Sequence, residues 1–94
     1  MDTNKAYQER IEAEIEKWKA EIETLKAKAK KAEAETKSEA LKKVEELEKQ
    51  RDEVERRLEE LEQAGEMAWR ELKGGVDTAL RELKMGIKRV SSEE

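Results

Sequence analysis

Residues 26–43 read KAKAKKAEAETKSEALKK, and the fold turns on whether one helix runs through them. Ala, Lys and Glu all favour helix, and neither Gly nor Pro interrupts the run. The apolar positions are almost all Ala, and their spacing slips phase, from Ala32 and Thr36 to Ala40 and Val44. Successive spacings of four are a stutter, which a continuous helix absorbs by local unwinding. The opposing reading is a chain reversal near 36 to 38, because Thr36 with Glu39 matches a capping box. With no turn residue present, continuity is the expectation.

Upstream, Ile15, Trp18, Ile22, Leu25, Ala29 and Ala32 alternate spacings of three and four, and Ile11 and Tyr7 extend the stripe backwards. Side chains three and four apart share a helix face, so residues 5–36 read as an amphipathic helix with a coiled-coil seam. Asp2, Thr3 or Asn4 would supply its N-cap. Downstream, within residues 40–64, the heptads VEELEKQ, RDEVERR and LEELEQA place Val44, Arg51 and Leu58 in one seam column and Leu47, Val54 and Leu61 in the other. Arg51 is a charge set on an apolar seam.

Over residues 58–90 the period changes to eleven: LEELEQAGEMA, WRELKGGVDTA, LRELKMGIKRV. Leu58, Trp69 and Leu80 align, as do Leu61, Leu72 and Leu83, then Gly65, Val76 and Ile87, and finally Ala68, Ala79 and Val90. Eleven residues in three turns is about 3.67 per turn, close to a relaxed helix, so the four columns form a straight band roughly 100° wide. Gly65 is a candidate helix break, either as a C-cap or as a seam position making room for a large side chain opposite. Gly74 and Gly75 weaken helix propensity and mark the region expected to fray.

The 94 residues fit one domain, 1–94, with 49% charged, 3% aromatic and 35% hydrophobic side chains. That composition suits long helices, each burying one stripe, and the regular apolar spacing argues against disorder. His and Cys are absent, which removes disulfides and the usual zinc, haem and iron–sulfur ligand sets. No signal-like start and no long apolar run is present, so a soluble cytoplasmic protein is expected. The paired carboxylates Glu45–Glu46 and Glu59–Glu60 lie on outer faces, where nothing would separate their acidities. No phosphate cradle and no nucleophile–base pair is written in the chain. The expectation is a non-enzyme without catalytic residues, cofactor or metal. The lysines 26, 28, 30 and 31 are followed at once by Glu33, Glu35 and Glu39 and lack interleaved aromatics, so nucleic acid is not an expected partner.

The expected fold is all-α: long amphipathic helices in an extended, antiparallel, oligomeric coiled coil, with an antiparallel three-helix bundle broken near 37 and 65 as the alternative. The expected oligomer seam comprises Ile15, Trp18, Ile22, Leu25, Val44, Leu47, Arg51, Val54, Leu58, Leu61, Trp69, Leu72, Val76, Leu80, Leu83 and Ile87. One antiparallel register sets Glu39 of one chain against Arg51 of another, turning the seam charge into an ion pair. The expected partner is the chain itself, as a dimer or tetramer, with other helical proteins or an anionic lipid surface as further partners. The lipid reading rests on residues 66–92, which hold six basic and four acidic side chains around Trp69 and the apolar band.

Three stretches also resemble a known family: MDTNKAYQERIEAEIEKWKAEIETLKAKAKKAEAE, VEELEKQRDEVERRLEELEQAGEMAW and WRELKGGVDTALRELK. They are similar to small bacterial coiled-coil domain-containing proteins, some described as stress-response proteins. The resemblance spans about residues 1 to 90, and its most specific parts are the heptad around Trp18 and the junction Ala64-Gly65-Glu66 to Trp69. It implies a soluble, helical, non-enzymatic protein, possessing no site residues to carry over.

Overall fold

The computed structural model describes residues 3–92, so Asp2 as an N-cap lies outside the described residues. The chain forms three α-helices: α1 (Thr3–Lys30), α2 (Ala34–Glu62) and α3 (Glu66–Ser92). Each reverses on the next, giving an up-down-up bundle of 51 × 18 × 17 Å. The all-helical expectation holds, but the single continuous rod does not. The bundle first given as the alternative is what forms.

The first reversal falls at residues 31–33, not at 36–38. Lys31 and Ala32 donate their N–H groups to the carbonyls of Lys28 and Ala29, tightening the last turn of α1. Glu33 is then extended (φ −70°, ψ 158°), and its carbonyl accepts from the Lys37 N–H to start α2. Thr36 lies inside α2, so the capping box is not used. Continuity failed because propensity is a weak constraint. Straightening three Lys, Ala and Glu residues gains a few tenths of a kcal/mol each, whereas each large apolar side chain removed from water contributes about 1.5–3 kcal/mol. Ile11, Ile22, Leu61 and Leu83 are all fully buried by the fold-back.

The second reversal, at 63–65, sits at the predicted Gly65, although its role differs. Gln63 ends α2 in the ordinary right-handed region, and no residue among the described ones has positive φ. Gly65 opens α3 instead, its carbonyl accepting from the Trp69 N–H. The first unit of the eleven-residue repeat is therefore split across the turn, and only residues 69–90 run as one helix. Gly65 faces open space, so it is not a seam position making room for a neighbour.

That service falls to Gly86. A methyl there would meet Leu47 Cδ2 at 2.9 Å and Gln50 Oε1 at 2.8 Å, so the missing side chain sets how closely α3 approaches α2. Gly75 similarly leaves space for the Arg57 guanidinium, 2.8 Å from where its Cβ would lie. Gly74 has nothing within 4 Å and sits in unbroken helix rather than at a frayed point. Gly74→Ala is thus expected to raise stability by about 1 kcal/mol, through helix propensity and a less free unfolded chain. A thermal melt that fails to shift upward would show that the backbone at 74 is not ordinary helix.

The core is built from the predicted seam columns, packed within the chain. Tyr7, Ile11, Ile15, Ile22, Leu25 and Ala29 come from α1, and Val44, Leu47, Val54, Leu58 and Leu61 from α2. Val76, Ala79, Leu80, Leu83 and Ile87 come from α3, with Trp18, Trp69, Leu72 and Val90 half-buried around them. The ion pairs Lys19–Glu55 (3.2 Å) and Lys26–Glu48 (3.4 Å) align α1 antiparallel to α2. Lys84–Glu14 (2.8 Å) and the bond from Tyr7 to Asp77 align α1 parallel to α3. Such exposed pairs add little stability and serve mainly as register marks.

Candidate partner-docking surface

The two registers place the bundle's ends at different levels. Gly86 lies against Leu47 and Gln50, and Val90 lines the same recess as Leu25 and Val44, so α3 ends alongside the first turns of α2. Beyond it the ends of α1 and α2 continue to their turn as a two-helix hairpin. There the core side chains shrink to Ala29, Ala32 and Ala40, and the face that α3 covers elsewhere opens as a trough of about 500 Å³. Leu25, Ala29, Ala32, Ala40, Val44 and Val90 supply its apolar lining, and Lys28, Thr36, Glu39 and Lys43 its polar rim. The stretch KAKAKKAEAETKSEALKK therefore has a second consequence: alanines that suffice for a helical seam are too small to close it.

Charge is distributed unevenly along the rod. Residues 25–44 hold seven lysines against three glutamates, a local +4 in a chain of net −4. Toward the other end a second groove, between α1 and α2, is rimmed by Glu12, Glu16, Glu55, Glu59 and Glu62 over Ile15 and Leu58. Among the described residues no group of His, Cys, Asp or Glu is arranged to hold a metal ion.

The predicted seam residues other than Arg51 are brought together within the chain, as core residues or, for Trp18, Trp69 and Leu72, partly buried against the core. Glu39 and Arg51 are not brought together within the chain: Glu39 is on the trough rim, and Arg51 bridges Asp52 at 2.9 Å and Glu55 at 3.7 Å. Both are in α2, twelve residues apart, or roughly 18 Å along the helix. Arg51 is partly exposed and does not belong to the apolar core. Glu45, Glu46, Glu59 and Glu60 are exposed, as expected of outer-face carboxylates.

The apolar band of α3 faces inward, with Val76, Leu80, Leu83 and Ile87 each at most 5% exposed. Trp69 packs edge-on against Tyr7, their ring centroids 5.4 Å apart, with the Lys73 ammonium 5.0 Å from the Tyr7 ring centre. Contact of this band with a lipid surface therefore requires α3 to leave the bundle. No helix among the described residues is long and apolar enough to cross a membrane.

Tyr7 is the polar feature that residue spacing had concealed, since it read only as a seam extension. Its hydroxyl donates to the Asp77 carboxylate, joining α1 to α3, the least closely packed pair of helices. Burial, together with that bond, pushes the phenol well above its ordinary value of 10. A raised folded-state pKa means the contribution is complete below about pH 10 and lost as pH climbs through the folded value. Tyr7→Phe should lower the melting temperature by a few degrees at neutral pH, corresponding to about 1 kcal/mol. The gap between the two proteins should stay flat from about pH 6 to 9 and narrow above about pH 10. A gap that widens at alkaline pH would contradict the assigned bond.

Compared with known proteins, the chain matches no family model, no curated protein and no solved structure.

Proposed function

We propose that this chain is a non-enzymatic structural module that assembles with other helices, a second copy of itself included, through the open end of its α1–α2 hairpin. The observation that carries this reading is the alanine-floored trough left where α3 stops short of the hairpin. An apolar recess flanked by charge is what helix partners use; Ala32, Ala40 and Val90 are its partly exposed apolar residues, while Leu25, Ala29 and Val44 beneath them belong to the buried core. The resemblance to small bacterial coiled-coil proteins fits a cytoplasmic protein of this kind, with a role under stress as its natural setting.

Self-association by this route has a distinctive signature. Two hairpin ends of local charge +4 repel, so salt strengthens the contact by screening. Sedimentation velocity across a range of concentrations should show a reversible monomer–dimer equilibrium that tightens between low and physiological salt. Ala40→Glu, which sets a carboxylate in the trough lining, should change that equilibrium without changing helicity. A strict monomer at every concentration and salt would remove the second copy from the partners.

A further inference from the structure

We infer that this chain can exchange α1 with a second copy of itself, through a hinge at residues 31–33 that straightens to join α1 and α2 into one helix. The exchange goes beyond end-on assembly and does not depend on the trough. Three observations carry it. The hinge, Lys31-Ala32-Glu33, consists of good helix formers, with neither Gly nor Pro. Two short-range bonds, from the Lys31 and Ala32 N–H groups to the carbonyls of Lys28 and Ala29, close α1, and Glu33 caps α2 with no side-chain bond. Little in the hinge itself favours the bend. At the other turn Gly65 lowers the gain from straightening, so the exchange belongs to the first.

The core stripe also keeps its phase across the hinge. Leu25, Ala29, Ala32, Thr36, Ala40, Val44 and Leu47 are spaced 4, 3, 4, 4, 4 and 3, which is 22 residues in six turns, about 3.67 per turn. The bend imposes no such phase, because the chain leaves α1 at Lys30 and enters α2 only at Ala34. A straightened helix requires it, since both core faces must point to the same partner. Finally, α1 is held chiefly by α2 and only lightly by α3, so the α2–α3 pair stays closed when α1 departs. The vacated face is covered by the α1 of a second copy, which fits it because it is the same helix. The pairs Lys19–Glu55, Lys26–Glu48 and Tyr7–Asp77 then re-form between two chains in a closed, two-fold dimer. The straightened hinge adds helix at the cost of the chains' independence, so concentration sets the yield, and extraction of α1 from the core makes the exchange slow.

The test unfolds the full chain by heat, cools it at high concentration, and sizes it after dilution by chromatography with light scattering. A dimer should form that outlasts dilution and returns to monomer on reheating at low concentration. Ala34→Pro separates the bent hinge from the straight one. Ala34 is the first residue of α2, a position that suits proline, and Glu33 before it is already extended (φ −70°, ψ 158°). Inside a continuous helix the same proline removes a hydrogen bond and clashes with the preceding turn. The variant should melt no lower than the parent at low concentration and yield about tenfold less dimer, or none. A second measurement leaves the hinge untouched: one population carries a donor dye at Gln8→Cys and another an acceptor at Thr78→Cys. The dimer isolated after joint refolding should show energy transfer between chains, and the same populations mixed without refolding should show none. End-on contact through the hairpin forms and dissolves without unfolding, so its failure is read separately from failure of the exchange. Absence of a dimer after refolding, a dimer undiminished in Ala34→Pro, or a dimer without energy transfer would each overturn the exchange.

Discussion

Val54→Asp is expected to leave the chain largely unfolded at 25 °C. Val54 is 0% exposed, in the middle of α2, the helix that packs against both of the others. An aspartate there must either stay ionised in an apolar setting or take up a proton, and either course costs several kcal/mol. Total stabilities of small domains run only about 5–15 kcal/mol, so the substitution consumes most of the margin. Val54→Ala, which removes two methyl groups and adds no charge, should cost about 2 kcal/mol and remain folded. The readout is the helical far-UV signal against temperature. A Val54→Asp protein melting within a few degrees of the parent would show that Val54 is not enclosed.

Gly86→Leu ranks second. A Cβ alone at 86 meets Leu47 and Gln50 at under 3 Å, and Leu47 is itself only 2% exposed. The remaining leucine carbons have no empty volume to enter, so α3 must shift away from α2. Overpacking of this sort costs about 1–3 kcal/mol, partly masked by up to about 1 kcal/mol of recovered helix propensity. The expected net loss is about 2 kcal/mol. The smaller Gly86→Ala should fall near neutral, because Gln50 is a flexible side chain able to swing aside. A stabilised Gly86→Leu protein would contradict the close approach of α3 to α2 at Gly86.

The apolar spacing identified the core residue by residue, because a helix repeats every three to four positions and each stripe must be covered. What periodicity left open was whether the covering face belongs to another chain or to the same one. The seam columns of α1, α2 and α3 are compatible with both, and the deciding turns carry almost no local signal. Residues 31–33 are Lys, Ala and Glu, each a good helix former, and the reversal there is imposed by tertiary packing. Gly65 did mark the second turn, yet the apparent eleven-residue repeat across it suggested continuity. Leu58 and Leu61 align with Trp69 and Leu72 in sequence while belonging to a different helix.

The hairpin trough was half visible. Its alanine-rich composition and its lysines were plain, but the trough arises from the length mismatch between α3 and the hairpin, which only the packed registers reveal. Gly86 was equally hidden, since nothing in the one-dimensional pattern separates a glycine that accommodates Leu47 from Gly74, which accommodates nothing. Tyr7 was legible as an apolar position and illegible as a hydrogen-bond donor, because Asp77 is seventy residues away.

Whether one chain supplies all three helices is tested most directly by a distance within a single molecule. The protein has no cysteine, so Gln8→Cys/Thr78→Cys accepts two spin labels and no others. Labelled protein is diluted into an excess of unlabelled protein, which leaves only intrachain pairs to be read by pulsed electron–electron resonance. Residues 8 and 78 share the register that joins Tyr7 to Asp77, so the bundle predicts one sharp distance below about 25 Å. A continuous helix would hold them about 105 Å apart, and an extended antiparallel oligomer would show a short distance only before dilution. Disappearance of the short distance on dilution would contradict the bundle.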